Sequence, residues 1–283
     1  MTQVTEISGC AVEMQDPRSR SDQGQSDRDR LHLPTVWSSV EWVAYFRTNA
    51  QRRLDIPWAS GSGATPEELE PIVGSLRGWQ LGETSEGTHL LKAARSYVSK
   101  VGDPEFLDVV RLFIAEEQRH GNLLGRFLDL AGVTHAKWDW GDALFRAARY
   151  LVPRMEVWAT PVAMVETHAL LYFGAIRRTN RSAVLRQICR QILADEVPHI
   201  RFQCERLAVL HRHRSRVLWV ATMAIHRVLF VAITVAIWTG HRRALRAGGY
   251  TFPRFWSAAW ATMSRAWRMM DPRAYRWAAG SRS

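Results

Sequence analysis

Four glutamates and two histidines in the middle of the chain are spaced as a helical dimetal site would need them. They are Glu86, then Glu117 with His120, then Glu166, then Glu196 with His199. The order is Glu, Glu-x-x-His, Glu, Glu-x-x-His. Residues three apart on a helix share nearly one face, so each Glu-x-x-His aims a carboxylate and an imidazole at one point. That donor set suits iron or manganese better than a thiolate zinc site or an all-oxygen calcium site. Open positions on such a metal pair would admit dioxygen. Asp195, Arg119 and Arg201 are candidates to support the ligands, Asp195 foremost, because a ligating histidine usually donates its other ring N–H.

These residues need four helices to carry them. Glu86 precedes Glu117 by 31 residues and Glu166 precedes Glu196 by 30. Such gaps fit antiparallel helices joined by short loops, with the paired side chains at one depth. The first core helix is predicted from about Thr84 to Lys100, stopped by Gly102. Asp103-Pro104-Glu105 opens the second, which runs to about Ala131. The third covers 160–178 and is apolar nearly all round, so Glu166 within it needs a partner. The fourth spans about Ser182–Leu210, with Pro198 expected to disturb it between two ligands. Glu83 lies three residues before Glu86 and is the alternative to it. Glu116 is expected on another face, His168 is expected to point away, and His89 reads as a residue supporting the ligands or an ordinary surface residue, with an extra ligand as the alternative. The pocket is expected to be apolar, from Leu90, Phe113, Leu124, Leu170, Phe173 and Ile192, with Gln203 as its polar exception.

With these motifs in hand, the chain resembles the ferritin-like superfamily of diiron-carboxylate proteins, which includes bacterioferritins, rubrerythrins and multicomponent monooxygenases. The resemblance rests on GETSEGTHLL, FIAEEQRHGNLL, AMVETHALLYF and ILADEVPHIRF and covers about residues 83–208. It implies an all-α, ferritin-like four-helix bundle. It also implies a pair of iron ions, or iron with manganese, held by Glu86, Glu117, His120, Glu166, Glu196 and His199. The implied activity is that of an oxidase or oxygenase using O2 on a small organic substrate, a hydrophobic one among the options, with the electron donor left open. Ferroxidase activity with iron storage is the first alternative. A non-catalytic helical protein at a membrane surface is the second.

Composition bounds the rest. At 283 residues with 47% hydrophobic content, the chain can bury one substantial core. Cys10, Cys189 and Cys204 show no paired spacing, which fits a reducing cytoplasm rather than a disulfide framework. Residues 1–33 are polar and charged and read as a disordered tail without a signal peptide. Residues 34–82 read as a helical extension containing SSVEWVAYFRTNAQRRL, a Trp58 loop and a short helix capped by Thr65 and opened by Pro66. A short helix is expected at about 143–151.

The net charge of +11 is concentrated at one end. Residues 201–283 hold 15 arginines against Glu205 and Asp271, or +13, which leaves −2 for the first 200 residues. The C-terminal extension, 211–283, therefore combines basic charge with VLWVATMAIHRVLFVAITVAIW and a Trp/Arg-rich run. A membrane surface is its candidate partner. His226-Arg227 in the middle of the apolar run argues against a full span. Its HRHRSR stretch (211–216) reads as a solvated turn. No Gly-rich phosphate loop, serine elbow, zinc-thiolate pattern or nucleic-acid module is present, so nucleic acid is not an expected partner.

Overall fold

A computed structural model of the protein describes residues 33–52, 54–138 and 154–277. The expected N-terminal tail, except Leu33, and the expected helix at 143–151 lie outside them. The described chain is all-helical, and its only β pairing is an isolated bridge between Thr35 and Arg276. Cys189 and Cys204 are free and buried.

Helix α1 (Ser39–Asn49) starts at a capping box. Ser38 accepts from the Glu41 amide while Glu41 accepts from the Ser38 amide. The same device at Thr65 opens the short α2 (Pro66–Leu69), where Pro66 occupies the first turn. Next come α3 (Val73–Glu83), α4 (Thr88–Val101) and α5 (Glu105–Leu130). The two long helices α6 (Met155–Thr179) and α7 (Ala183–His211) pair most extensively, and α8 (Arg216–Ala247) and α9 (Phe252–Met269) pack onto them.

The first core helix differs from the sequence expectation. It is not one rod from Thr84 but two pieces, α3 and α4, both packed on α5 and interrupted at Thr84–Gly87. Gly87 adopts φ +66°, and a Cβ there would lie 2.4 Å from Ile114 Cδ1. A glycine is needed on both counts, left-handed backbone and close packing. The break places Glu83, not Glu86, at the depth of the other carboxylates.

The expected boundaries at 82/83 and 210/211 do not mark gaps in packing. One buried cluster joins Ile72, Leu76 and Trp79 to Leu124, Tyr172 and Ile188, and onward to Trp238 and Phe255. A second joins Trp42 and Phe46 of α1 to Phe106, Phe113 and Phe202. The flanking helices are thus walls of the same core. Pro198 sits inside α7 without ending it, since the helix runs unbroken to His211. The missing amide costs one backbone bond, and the dense packing of α7 on α6 retains the helix around it.

The HRHRSR stretch is a turn with His213, Ser215 and Arg216 exposed, but two of its residues are not simply solvated. His211 is buried; its Nε2 donates to Glu156 at 3.2 Å, and Arg214 bonds the other oxygen of that carboxylate. His226 lies beside them. Because a guanidinium already occupies the carboxylate, this Glu–His–His group reads as a structural tie between α6 and the α7–α8 turn. Burial pushes the Glu156 carboxyl up, but His211 and Arg214 outweigh it and bring it down to about 2. A depressed carboxyl contributes stability that is full above the unfolded value of 4.5 and lost as pH falls towards 2. Glu156→Gln should therefore flatten the acid limb of the stability profile between about pH 5 and 2, read by thermal melts across that range.

Candidate metal centre

Five of the six sequence-predicted residues meet at one point. Ligand atoms of Glu117, Glu166, Glu196 and His199 lie within 4.8 Å of one another, and those of Glu83, Glu117 and His120 do likewise. Glu117 belongs to both sets and so bridges two adjacent positions. These groups are able to hold metal. Glu86 is the exception: it is exposed in the turn before α4 and belongs to neither set. Glu83, 7% exposed at the end of α3, stands in its place.

A close helix approach brings Glu83 in. A Cβ on Gly121, the residue after His120, would meet Thr84 Cγ2 at 2.6 Å, Thr84 N at 3.0 Å and Glu83 C at 3.1 Å. Only the missing side chain lets the end of α3 lie directly against α5.

The polar atoms at the centre fit a cation. Glu117 Oε1, His120 Nδ1, both oxygens of Glu166, Glu196 Oε2 and both ring nitrogens of His199 are buried without a hydrogen-bond partner. Buried polar groups are nearly always satisfied, so seven unpartnered atoms on five neighbouring residues need an explanation. His199 Nδ1 lies 2.9 Å from Glu117 Oε1, yet without hydrogen-bond geometry. His120 Nδ1 and Glu196 Oε1 are 3.8 Å apart. Atoms this close that do not bond to each other could share a cation.

Charge balance points the same way. Burial pushes the Glu83 and Glu166 carboxyls well above the usual range, and neighbouring carboxylates add to it. Burial raises Glu196 too, against the pull of His199. Glu117 is lowered because His199 and His120 overcome its burial. Burial would lower His199, but Glu116, Glu117 and Glu196 around it raise it well above the normal imidazole value. The chain alone thus has too little positive charge at its centre, and divalent cations would supply it.

The surrounding residues form a crossed pair. His120 Nε2 donates to Asp195 Oδ2 at 2.9 Å, as expected for Asp195. His199 Nε2 faces Glu116 Oε2 at 3.6 Å. Each acid directly precedes the glutamate of one motif and serves the histidine of the other. The expectation that Glu116 occupies another face is corrected here: it is 5% exposed and stands against His199. Arg119 Nη2 joins the two acids, at 2.5 Å to Glu116 and 2.8 Å to Asp195. Asn49 Nδ2 of α1 also bonds both, and Gln191 donates to Asp195. Burial would raise the Asp195 carboxyl, but His120, Gln191 and Asn49 hold it far below its usual value. Arg201 is corrected in the other direction, since it pairs with Glu205 at 2.7 Å, away from the centre.

Aromatic side chains close the site. Phe113 meets His199 edge-on at 4.9 Å between ring centroids, and Phe46 of α1 lies at 5.9 Å. Phe46 and Asn49 come from a helix that the sequence placed outside the bundle. His168 does point away: its Nδ1 donates to Met164 O at 2.7 Å and its Nε2 lies 3.0 Å from Thr234 Oγ1. Burial holds that imidazole down to about 4. His89 is exposed on α4.

Asp195→Asn and Glu116→Gln should each weaken metal binding about 10–100-fold without unfolding the protein, as loss of an orienting partner typically does. Because the partners are crossed, the effects of the two changes should add more than independently through Arg119 and Asn49. A double-mutant cycle on metal affinity measures that coupling.

No family model, curated protein or solved structure matches this chain.

Proposed function

We propose that Glu83, Glu117, His120, Glu166, Glu196 and His199 hold two metal ions, iron first and iron with manganese second, and that the protein is a ferritin-like oxidase or oxygenase acting on a small organic substrate. The unpartnered, buried carboxylate oxygens of Glu117, Glu166 and Glu196 with Nδ1 of His120 and His199 carry this assignment. The donors fit the metals: four carboxylates with two imidazoles, no thiolate, and a charge that two divalent cations neutralise. When bound in reduced form, the metal pair supplies the two electrons that reduce dioxygen.

The chain's own residues do the remainder. Asp195 accepts from His120 Nε2 and Glu116 stands 3.6 Å from His199 Nε2, which leaves Nδ1 of each imidazole to the centre. Arg119 neutralises those acids and, with Asn49, positions them. Phe46 and Phe113 exclude water beside His199. The apolar wall favours a hydrophobic substrate. A surface groove of about 410 Å³, lined by Trp37, Tyr45, Asn49 and Arg52, lies over α1, and Asn49 connects it to the Glu116–Asp195 pair. That groove is the approach we assign to the substrate. The cytoplasm is the compartment proposed for this chemistry.

The experiment is oxygen uptake by protein loaded anaerobically with ferrous iron, with and without an added reductant. Sustained turnover with reductant, absent from Glu117→Ala/Glu196→Ala, is the expected result. Uptake that stops once the iron is oxidised, with iron accumulating in a very large particle, would favour iron storage instead.

A further inference from the structure

Helix α8 turns an apolar face to solvent along most of its length. Val217, Val220, Ile225, Val228, Val231 and Val235 are exposed, several of them strongly: 81% for Val217, 65% for Ile225 and 72% for Val228. Their spacing of three to five residues places them along one side of the helix. The opposite side, with Met223, Phe230 and Ile237, is buried against the core. Only 33% of the most apolar stretch of α8 is buried, whereas a core helix would be mostly covered. Phe252 and Trp260 of α9 extend the exposed face, and Trp256 stacks on Trp260. An apolar strip about 27 Å long, from Val217 to Val235, is too large to be an ordinary surface feature.

Charge identifies the occupant. No acidic residue occurs between Glu205 and Asp271, and exposed arginines stand at both ends of the strip, Arg216 at one and Arg242 and Arg246 at the other. A second copy on this face is disfavoured, because either parallel or antiparallel two-fold pairing would set basic ends against basic ends. Anionic lipid headgroups complement both ends at once. Tryptophan beside arginine suits the same boundary, where an apolar body meets a polar layer.

We propose that α8, with the Phe252–Trp260 side of α9, docks the protein on an anionic bilayer surface. The helix lies in the membrane plane: the valines and Ile225 enter the acyl boundary while the arginines remain among the headgroups. Mid-helix Arg227 fixes this orientation. It is exposed, bonds Met223 O, and lies 5.5 Å over the Trp267 ring at the flank of the strip. In a flat helix it reaches headgroups, whereas in a crossing helix it would sit in hydrocarbon. The inference does not depend on the metal centre, although it would give a hydrophobic substrate a source.

The test is flotation of the full chain with phosphatidylcholine vesicles, with and without phosphatidylserine, beside Ile225→Glu/Val228→Glu. Both positions are exposed, so the variant should retain wild-type circular dichroism and melting temperature. Wild type should bind phosphatidylserine vesicles at least ten-fold better than neutral ones, with binding falling as salt rises, and the variant should remain unbound. Failure of wild type to float, or equal flotation of the folded variant, would overturn the proposal. So would a wild-type dimer that the variant dissolves, which would make the face a contact between copies.

Discussion

Glu83→Ala should strip the centre of metal, while Glu86→Ala should leave it intact. Glu83 offers a buried carboxylate within 4.8 Å of ligand atoms on Glu117 and His120, and Glu86 faces solvent in the turn. Loss of an outer orienting partner typically costs 10–100-fold in affinity, so loss of a charged ligand should exceed about 100-fold. Metal-free stability should move the other way. Glu83 is an acid buried beside Glu117, and burial strongly disfavours its charged form. Removing it should leave the apo protein as stable or slightly more stable, since isolated buried acids cost free energy. Metal should then stabilise wild type through mass action and fail to stabilise the variant. Titration with ferrous or manganous ion, followed by melting with and without metal, gives both readings. Equal affinity loss from Glu86→Ala would contradict the placement of Glu83.

Gly121→Ala should destabilise the protein and weaken metal binding together. In an ordinary helix interior this substitution gains about 1 kcal/mol. Here the new methyl meets Thr84 Cγ2 at 2.6 Å and, more seriously, the backbone at Thr84 N and Glu83 C, at 3.0 and 3.1 Å. Rotating Thr84 relieves the first contact but not the other two, so the end of α3 must move. Overpacking of this kind costs about 1–3 kcal/mol, which exceeds the helix gain. The movement carries Glu83 away from Glu117. Gly74→Ala is the control: it lies in the same α3, has nothing within 4 Å of its would-be Cβ, and should be neutral or stabilising. Urea denaturation with a metal titration on each variant tests the pair. A stabilising Gly121→Ala would show that α3 and α5 are further apart than described.

Five of the cluster residues were legible in the sequence because the Glu-x-x-His spacing and the apolar setting of Glu166 are local signals. Glu83 was ambiguous for a physical reason. Positions three apart share a helix face, so spacing alone cannot separate 83 from 86 once a helix is assumed to run through both. The local clue was Gly87, whose left-handed backbone ends the face before α4 begins. The crossed acids carried a readable signal as well, since an acid directly precedes the glutamate in both motifs. Asp195 is readable from it, but Glu116 is not, because adjacent helical residues ordinarily diverge and here the neighbouring helix supplies the histidine that Glu116 faces. Asn49 and Phe46 had no local signal at all. Asn49 touches Glu116 and Asp195 across 67 and 146 residues of chain, a relation fixed only when α1 packs on α5. Likewise, periodicity revealed α8 as long and apolar but could not tell which of its sides the core would cover.

The most direct measurement is metal content of the purified chain after anaerobic addition of ferrous iron, beside the Glu117→Ala/Glu196→Ala variant. About two ions per wild-type chain and none in a folded variant is the predicted result, since Glu117 belongs to both ligand sets and Glu196 to one of them. No metal retained by wild type, or the same content in both proteins, would contradict the dimetal centre.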